Sequence, residues 1–331
     1  MSDATVASEI DAVVDELRAA DRFLLTTHEG PDGDALGSLL AMHEVLRQLG
    51  KDSVMFLAAK EFPLPVEYRF LPLEEVFHEP PADVVDRTLV FLDCGNIDRM
   101  PVPFLSRNGA GVLNIDHHHD NTRFGTVNLV DTEASCTAEI VLEITKRLGA
   151  ELTPEIAQAL YVGLITDTGK FMYENTTPEA HRMAAELIYA GVEPHEVYRR
   201  LYEDLPFRRL QLLQRALSSV ERHDEGTITI SHLVKEDYEQ TGAQETDSEG
   251  VVDHMRAVEG TAVAVLVREL LSDDRDGMRK VSLRATDGRV DVSRIAREFG
   301  GGGHPQAAGF ATPLPYPELV EKLRQHVREQ L

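Results

Sequence analysis

Between residues 28 and 34 the chain reads HEGPDGD, which places His28, Asp32 and Asp34 around one short turn. At 111–121 it reads GVLNIDHHHDN, an apolar run closed by Asp116 and three consecutive histidines, His117, His118 and His119. Asp93 closes a third apolar run, TLVFLDC at 88–94, and Asp167 ends another, just before Gly169. Carboxylates with imidazoles are what hard or borderline divalent cations take as ligands. Mn2+ suits this set better than Zn2+ because no thiolate takes part, and Mg2+ or Co2+ would accept the same donors. Four Asp charges balance two divalent cations sharing a bridging carboxylate, a pair that activates a water and clamps a phosphoryl oxygen. In the turn, Gly33 is expected to give the backbone freedom to aim both carboxylates into one crevice near the positive end of the following helix. Asp32 or Asp34 could equally do no more than cap that helix. Side chains alternate along a strand, so three adjacent histidines cannot all face one ion, and spacing alone leaves open which is a ligand.

Bringing these groups together requires strands that end side by side. RFLLTTH (22–28), VMFLA (54–58), TLVFLDC (88–94), GVLNID (111–116) and TVNLV (126–130) are apolar runs of strand length. Helical periodicity marks 35–50, 135–149, 153–169 and 177–191. Strands rich in Val, Leu and Ile alternating with helices predict an α/β fold with a mostly parallel sheet covered on both faces by helices. Ligand sites of such sheets lie beyond the carboxyl ends of the strands, so the groups named above should converge. Residues 193–220 read as polar helices without an intervening strand, a helical linker. A smaller α/β domain is expected after it, with strands at 227–231, 261–270 and 280–285 and helices at 291–299 and 315–330. The segment 237–250 reads as polar and turn-rich, and 271–279 as a hairpin-like connection. The expected divisions are 1–192, 193–220 and 221–331.

The second domain carries FGGGGHPQAAGF at 299–310. Amides of Gly301, Gly302 and Gly303 can approach a phosphate closely and form an anion-binding concavity, with His304 directly after them. Arg284, in SLRATDG, is a candidate for a terminal phosphate because guanidinium binds phosphate bidentately. Arg256, in VVDHMRAVEG, is a second.

At 331 residues the chain has room for two cores. A formal charge of -24 repels a long polyanion and predicts no long duplex nucleic acid as partner; any nucleic-acid substrate should be short and held locally. The acidity fits a salt-adapted source equally well. No apolar stretch reaches membrane-spanning length, and MSDATVASEIDAVVDEL is acidic and amphipathic rather than basic and then apolar. These features predict no membrane association and a cytoplasmic location. Two cysteines, Cys94 and Cys136, are too few for a disulfide framework. Cys94 should point away from Asp93, its neighbour in the strand.

Taken together, H-x-x-P-D-x-D at 28–34, Asp93, D-H-H at 116–118 and D-T-G at 167–169 resemble the DHH phosphoesterase superfamily. The glycine-rich run at 299–310 resembles the signature of the DHH-associated C-terminal domain, and the two-domain size is most similar to the oligoribonuclease and pAp phosphatase group, the nanoRNases. The resemblance implies a catalytic first domain, a substrate-binding second domain, an active site in the cleft between them and a glycine loop that grips the nucleotide. It implies one metal on His28, Asp32 and Asp93 and another on Asp34, Asp93, His117 and Asp167, with Asp93 as the bridge. Asp116 would support the site from behind. His118 would lie beside the scissile phosphate, stabilising charge or protonating the leaving group, while His119 falls on a variable position and Asn121 fixes the loop. The implied activity is Mn2+-dependent hydrolysis of short oligoribonucleotides to mononucleotides and removal of the 3'-phosphate of pAp. A cyclic-dinucleotide or linear dinucleotide (pApA) phosphodiesterase would share the motifs. Relatives suggest a homodimer. One departure is Gly30, where relatives often have Asn.

Overall fold

The computed structural model describes residues 3–97, 111–272, 275 and 277–331. It divides into two compact units, Met1–Asp204 and Leu205–Leu331. The division falls inside the 193–220 segment.

The first unit opens with helix α1 (Asp3–Ala19) and strand β1 (Arg22–Thr26), followed by α2 (Gly33–Gln48) and β2 (Asp52–Met55). Strands β3 (Thr88–Leu92), β4 (Val112–Asp116) and β5 (Val127–Val130) follow, then helices α3 (Thr137–Leu148), α4 (Pro154–Asp167), α5 (Pro178–Tyr189) and α6 (Pro194–Tyr202). The described strands form a parallel sheet in the order β2-β1-β3-β4-β5. Strand order reverses between β1 and β3, the switch point where doubly wound sheets open a crevice beyond their carboxyl ends. Alternation along the strands divides the core in two. Phe23, Leu25, Val90, Leu92, Leu113 and Ile115 pack with helical residues such as Leu36, Leu39, Ile140 and Leu160, whereas Leu24, Leu89 and Phe91 pack with Phe56, Val84 and Cys94. Cys94 therefore points away from the helical layer.

Local signals set the helix starts. Thr-Pro-Glu occurs twice; Thr153 caps α4 and Thr177 caps α5 through their hydroxyls, each with Pro at the first turn, where its missing N–H costs nothing. α3 stops at Gly149, which takes the left-handed conformation at φ 75°.

The second unit contains α7 (Phe207–Ser218), β6 (Glu221–His223), β7 (Ile228–Leu233), α8 (Lys235–Thr241), α9 (Val251–Arg256), β8 (Val263–Glu269) and β9 (Arg279–Ala285). It closes with α10 (Val292–Glu298), β10 (Gly302–His304), β11 (Ala307–Thr312) and α11 (Tyr316–Arg328). The strand order is β10-β11-β9-β8-β7-β6, with β7 and β8 parallel and the other described pairs antiparallel. One face is buried with α10 and α11 through Ile295, Leu319 and Leu323; the other carries Ala264 and Leu266 against Leu212, Val252 and Met255. Within the segment read as a linker, Val197 and Leu201 of α6 belong to the first core, while Leu212 and Ala216 of α7 belong to the second.

Two expectations need correction. Residues 237–250 are largely helical, as α8 and a 3-10 turn at Glu245–Ser248, because buried Tyr238 and Ala243 give the polar stretch an apolar anchor. The glycine run is no open loop: Gly302–His304 is a strand paired with Ala307–Ala308–Gly309. β8 and β9 pair antiparallel, as a hairpin-like connection requires; residues 273, 274 and 276 of that connection lie outside the described residues. Among the described residues no helix is long and apolar enough to cross a membrane.

Candidate active site

β1, β3 and β4 end side by side, and their carboxyl ends bring His28, Asp93, Asp116, His117 and His118 together. Asp93 is the first residue after β3 and has φ 56°, a left-handed conformation that Asp adopts more readily than most side chains but still at a cost of about 1 kcal/mol. Its two oxygens face different partners. Oδ2 lies 3.4 Å from His28 Nε2, whereas Oδ1 lies 3.6 Å from His117 Nε2 and accepts the Thr137 hydroxyl at 3.0 Å.

Both imidazoles are held from behind. His28 Nδ1 donates to the Glu29 carbonyl at 2.8 Å and His117 Nδ1 to the Ala134 carbonyl at 3.4 Å, which leaves each Nε2 directed at carboxylates. A backbone carbonyl on the far nitrogen is the usual support of a metal-ligating histidine. His117 Nε2 also lies 3.7 Å from Asp167 Oδ2.

The turn at 30–34 settles the capping question in both directions. Asp32 caps α2, its Oδ1 accepting from the amides of Asp34 at 3.0 Å and Ala35 at 3.1 Å. One oxygen is enough for that cap, so the exposed Asp32 side chain still groups with His28 and Asp93. Asp34 instead reaches across to α3, accepting from the amides of Thr137 at 2.6 Å and Ala138 at 2.9 Å. Gly33 does not use a special backbone conformation, contrary to expectation. It begins the helix, and a Cβ there would collide with Thr166. Gly30 is the residue with left-handed backbone, at φ 60°, a conformation open to Gly and Asn alike.

Asp116 is fully buried, holding His118 Nδ1 at 2.7 Å on one oxygen and Asn121 Nδ2 at 2.5 Å on the other. Asn121 also donates to Asn114 Oδ1 at 2.8 Å and thereby ties the loop to β4. His119 is exposed. Asp167, the last residue of α4, accepts from Asn175 Nδ2 at 3.1 Å. Thr137 and Asn175 hold site carboxylates and escaped the sequence reading; for Thr137, its place at the start of a helix two residues after Ser135 carried no cue, and Asn175 sits in an irregular segment.

The charges do not balance within the protein. Burial, then the carboxylates of Asp93, Asp167 and Asp32, push Asp34 well above the usual range. Burial also raises Asp167, to about 6, with Asp32 and Asp93 adding to it and His117 opposing. Burial would raise Asp93 too, but His28, His118 and His117 outweigh it and hold that carboxyl below the usual range. Asp116 is likewise held low against burial by His118 and Asn121. Buried carboxylates that repel one another call for a cation. The geometry supplies places for one: ligand atoms of His28, Asp32 and Asp93, and of Asp34, His117 and Asp167, lie within 4.8 Å of one another in each set. The donors are oxygens and imidazole nitrogens, as the sequence suggested. Cys136, buried beside Asp34 and Asp167, has its thiol pushed well up by burial and by those carboxylates, so it stays protonated and non-nucleophilic.

In the second unit, strand register places Ala264, Arg284, Ala307 and His304 in one row across β8, β9, β11 and β10, and Leu266, Ser282, Gly309 and Gly302 in the next. Cross-strand partners share a face, so Arg284 and His304 project from the same side with only Ala307 between them. Arg284 pairs with Asp253 of α9 at 3.3 Å and is half-buried. Arg256 ends α9 three residues beyond Asp253 and is half-buried as well. Gly301 and Gly303 are required by close approach, since a Cβ on Gly301 would collide with the backbone of Gly309 and one on Gly303 would lie 2.5 Å from the Ala307 carbonyl oxygen.

Comparison with known proteins matches both units. The family model for the DHH family N-terminal domain covers residues 22–164, and that for the DHHA1 domain covers 226–331. The chain is 38% identical to a bifunctional oligoribonuclease and PAP phosphatase NrnA of Thermus thermophilus over 93% of this chain and 89% of that protein. It is 28% identical to the Bacillus subtilis protein of the same name, over 87% of this chain and 88% of that one. Among solved structures, an exopolyphosphatase-related protein from Bacteroides fragilis shares the fold, with a TM-score of 0.85 at 24% identity over 98% of this chain and 96% of that one. The chain belongs to the DHH phosphoesterase family, with a DHH domain followed by a DHHA1 domain.

Proposed function

We propose that the chain is a Mn2+-dependent phosphoesterase that hydrolyses short oligoribonucleotides to mononucleotides and removes the 3'-phosphate of pAp. Support comes first from Asp93, whose two oxygens face His28 on one side and His117 on the other, as a carboxylate shared between two cations requires. The named relatives at 38% and 28% identity supply the substrate class. When bound, two divalent cations provide an activated water and neutralise the phosphoryl oxygens. His28, Asp32 and Asp93 would hold one of them, and Asp34, Asp93, His117 and Asp167 the other. His118, oriented by buried Asp116, stabilises charge on the leaving oxygen or protonates it. Arg284, His304 and the Gly301–Gly303 segment bind the nucleotide's phosphate, with Arg256 as an outer contact. A net charge of -24 confines such binding to local cationic groups, which suits fragments of a few nucleotides better than long strands.

The test is hydrolysis of an RNA dinucleotide, a 24-mer RNA, pAp and cyclic di-AMP side by side with Mn2+, each repeated with chelator. Rapid, chelator-sensitive cleavage of the dinucleotide and pAp is the expected result. Preference for the cyclic dinucleotide would move the protein to a signalling role, and chelator-insensitive turnover would remove the metal centre.

A further inference from the structure

We propose that Thr137 is a positioning residue that couples the two halves of the carboxylate cluster. Its hydroxyl donates to Asp93 Oδ1 at 3.0 Å, and its amide donates to Asp34 Oδ2 at 2.6 Å. The next amide, Ala138, donates to Asp34 Oδ1 at 2.9 Å. Three donors from the first turn of α3 thus go to two site carboxylates contributed by other elements.

That arrangement departs from ordinary helix capping. The residue preceding the helix, Cys136, makes no side-chain cap, and Asp34, more than a hundred positions away in sequence, takes over its role. The 12-residue helix directs the positive end of its dipole at Asp34, which stabilises the ionised carboxylate that its acidic neighbours oppose. The hydroxyl has a different task. Thr137 is fully buried and β-branched, so its side chain has few alternative rotamers. A donor fixed at Asp93 Oδ1 sets the rotation of that carboxylate, keeping Oδ1 on the side of His117 and Oδ2 on the side of His28. Besides it, the imidazoles of His28, His117 and His118 face these two oxygens. Thr137 therefore decides whether Asp93 presents one oxygen to each half-site.

This inference rests on the cluster being a divalent-cation site, and the experiment separates the two claims. Mn2+ is titrated into the full chain by calorimetry and by electron paramagnetic resonance, for wild type, Thr137→Val and Thr137→Ser. Wild type should bind two equivalents. Thr137→Val, which keeps shape but loses the hydroxyl, should weaken one of the two steps by about 10- to 100-fold, the usual effect of removing a ligand's supporting partner. Thr137→Ser should restore it, and raising Mn2+ should rescue the turnover of Thr137→Val. If Thr137→Val titrates like wild type, or Thr137→Ser is as weak as Thr137→Val, the positioning role is overturned while the metal site stands. Failure of wild type to bind Mn2+ overturns both. Should Thr137→Val not fold, as judged by circular dichroism, Thr137→Ala set against Thr137→Ser carries the same contrast.

Discussion

The two units present polar groups in opposite ways. In the first, carboxylates and imidazoles gather beyond the ends of parallel strands, most of them buried, and specific donors or acceptors hold them: Asp34 by the amides of α3, Asp116 by His118 and Asn121, Asp167 by Asn175. In the second, Arg284 and His304 stand half-exposed on a floor of Ala307, Gly309 and Gly302, positioned by strand register. The first arrangement is unfavourable by itself, since Asp34 and Asp167 are pushed toward protonation by burial and by the neighbouring carboxylates of Asp32 and Asp93. The second costs little because Arg284 already has Asp253 as a partner. A protein maintains repelling buried carboxylates only where something else repays them, whereas an open cationic face can exchange its partner for a ligand's phosphate. We therefore propose chemistry in the first unit and recognition in the second.

Breaking the first unit should have the larger consequence. Asp93→Asn keeps the shape but removes the charge that both His28 and His117 face, and turnover should fall by roughly 10^3-fold or more, with weaker Mn2+ binding. Unchanged turnover with an intact fold would mean that Asp93 is not shared. The scaffold of the same unit has its own sensitivity to acid. His43 in α2 is buried with Nδ1 on the Ser53 hydroxyl at 2.9 Å, and burial, followed by the Arg47 guanidinium, lowers its pKa from 6.5 to about 4 against the pull of Glu75. The unfolded chain thus binds a proton between pH 6.5 and 4 that the folded chain does not. The resulting stability is fully present above about pH 6.5, is lost as pH falls toward 4, and amounts at most to about 3 kcal/mol. Hydrogen exchange of residues 33–48 at several pH values should show α2 opening more readily in acid, with the slope reduced in His43→Leu. Equal slopes in both proteins would count against His43 as the source.

The strand ends were legible because an apolar run followed by Asp or His is a one-dimensional signal, and parallel strands make such ends neighbours. What joins them was not. Thr137 acts through an approach of α2, β3 and α3 that no local pattern encodes, and Asn175 reaches Asp167 from an irregular segment. The left-handed backbone at Asp93 is imposed by tertiary structure on a residue with no glycine to announce it. In the second unit, KVSLRA showed its alternation, since Val281 and Leu283 are buried while Ser282 and Arg284 are only partly so. Strands β10 and β11 escaped because runs of Gly and Ala have little strand propensity, and close packing of backbones decides their conformation. Helix α8 escaped for a related reason: buried Tyr238 outweighs the polar residues around it.

Arg284→Ala tests the second unit's side of the comparison. It should raise KM about tenfold to a hundredfold, the ~1.5–3 kcal/mol of a hydrogen bond to a charged group, with a smaller change in kcat. Mn2+ titration should be unaffected, which distinguishes it from Asp93→Asn. A loss confined to kcat would instead move Arg284 into the chemistry.

The smallest effect is expected where the second unit has no functional group at all. Ala307 lies between Arg284 and His304 in the row across β9, β11 and β10 and is half-buried, so Ala307→Leu adds bulk to the floor without entering the core formed by Ala308 and Phe310 on the other face. If the small residues exist to leave space for a nucleotide, KM should rise by roughly tenfold while kcat and thermal stability stay near wild type. Ala308→Leu, on the buried face, should do the reverse, lowering stability through overpacking and leaving KM of the folded fraction unchanged. Opposite outcomes for adjacent residues of one strand would show that the face bearing Arg284 is kept open for a ligand. A KM unchanged in Ala307→Leu would mean that Ala and Gly are there only so that the backbones of β10 and β11 can pair.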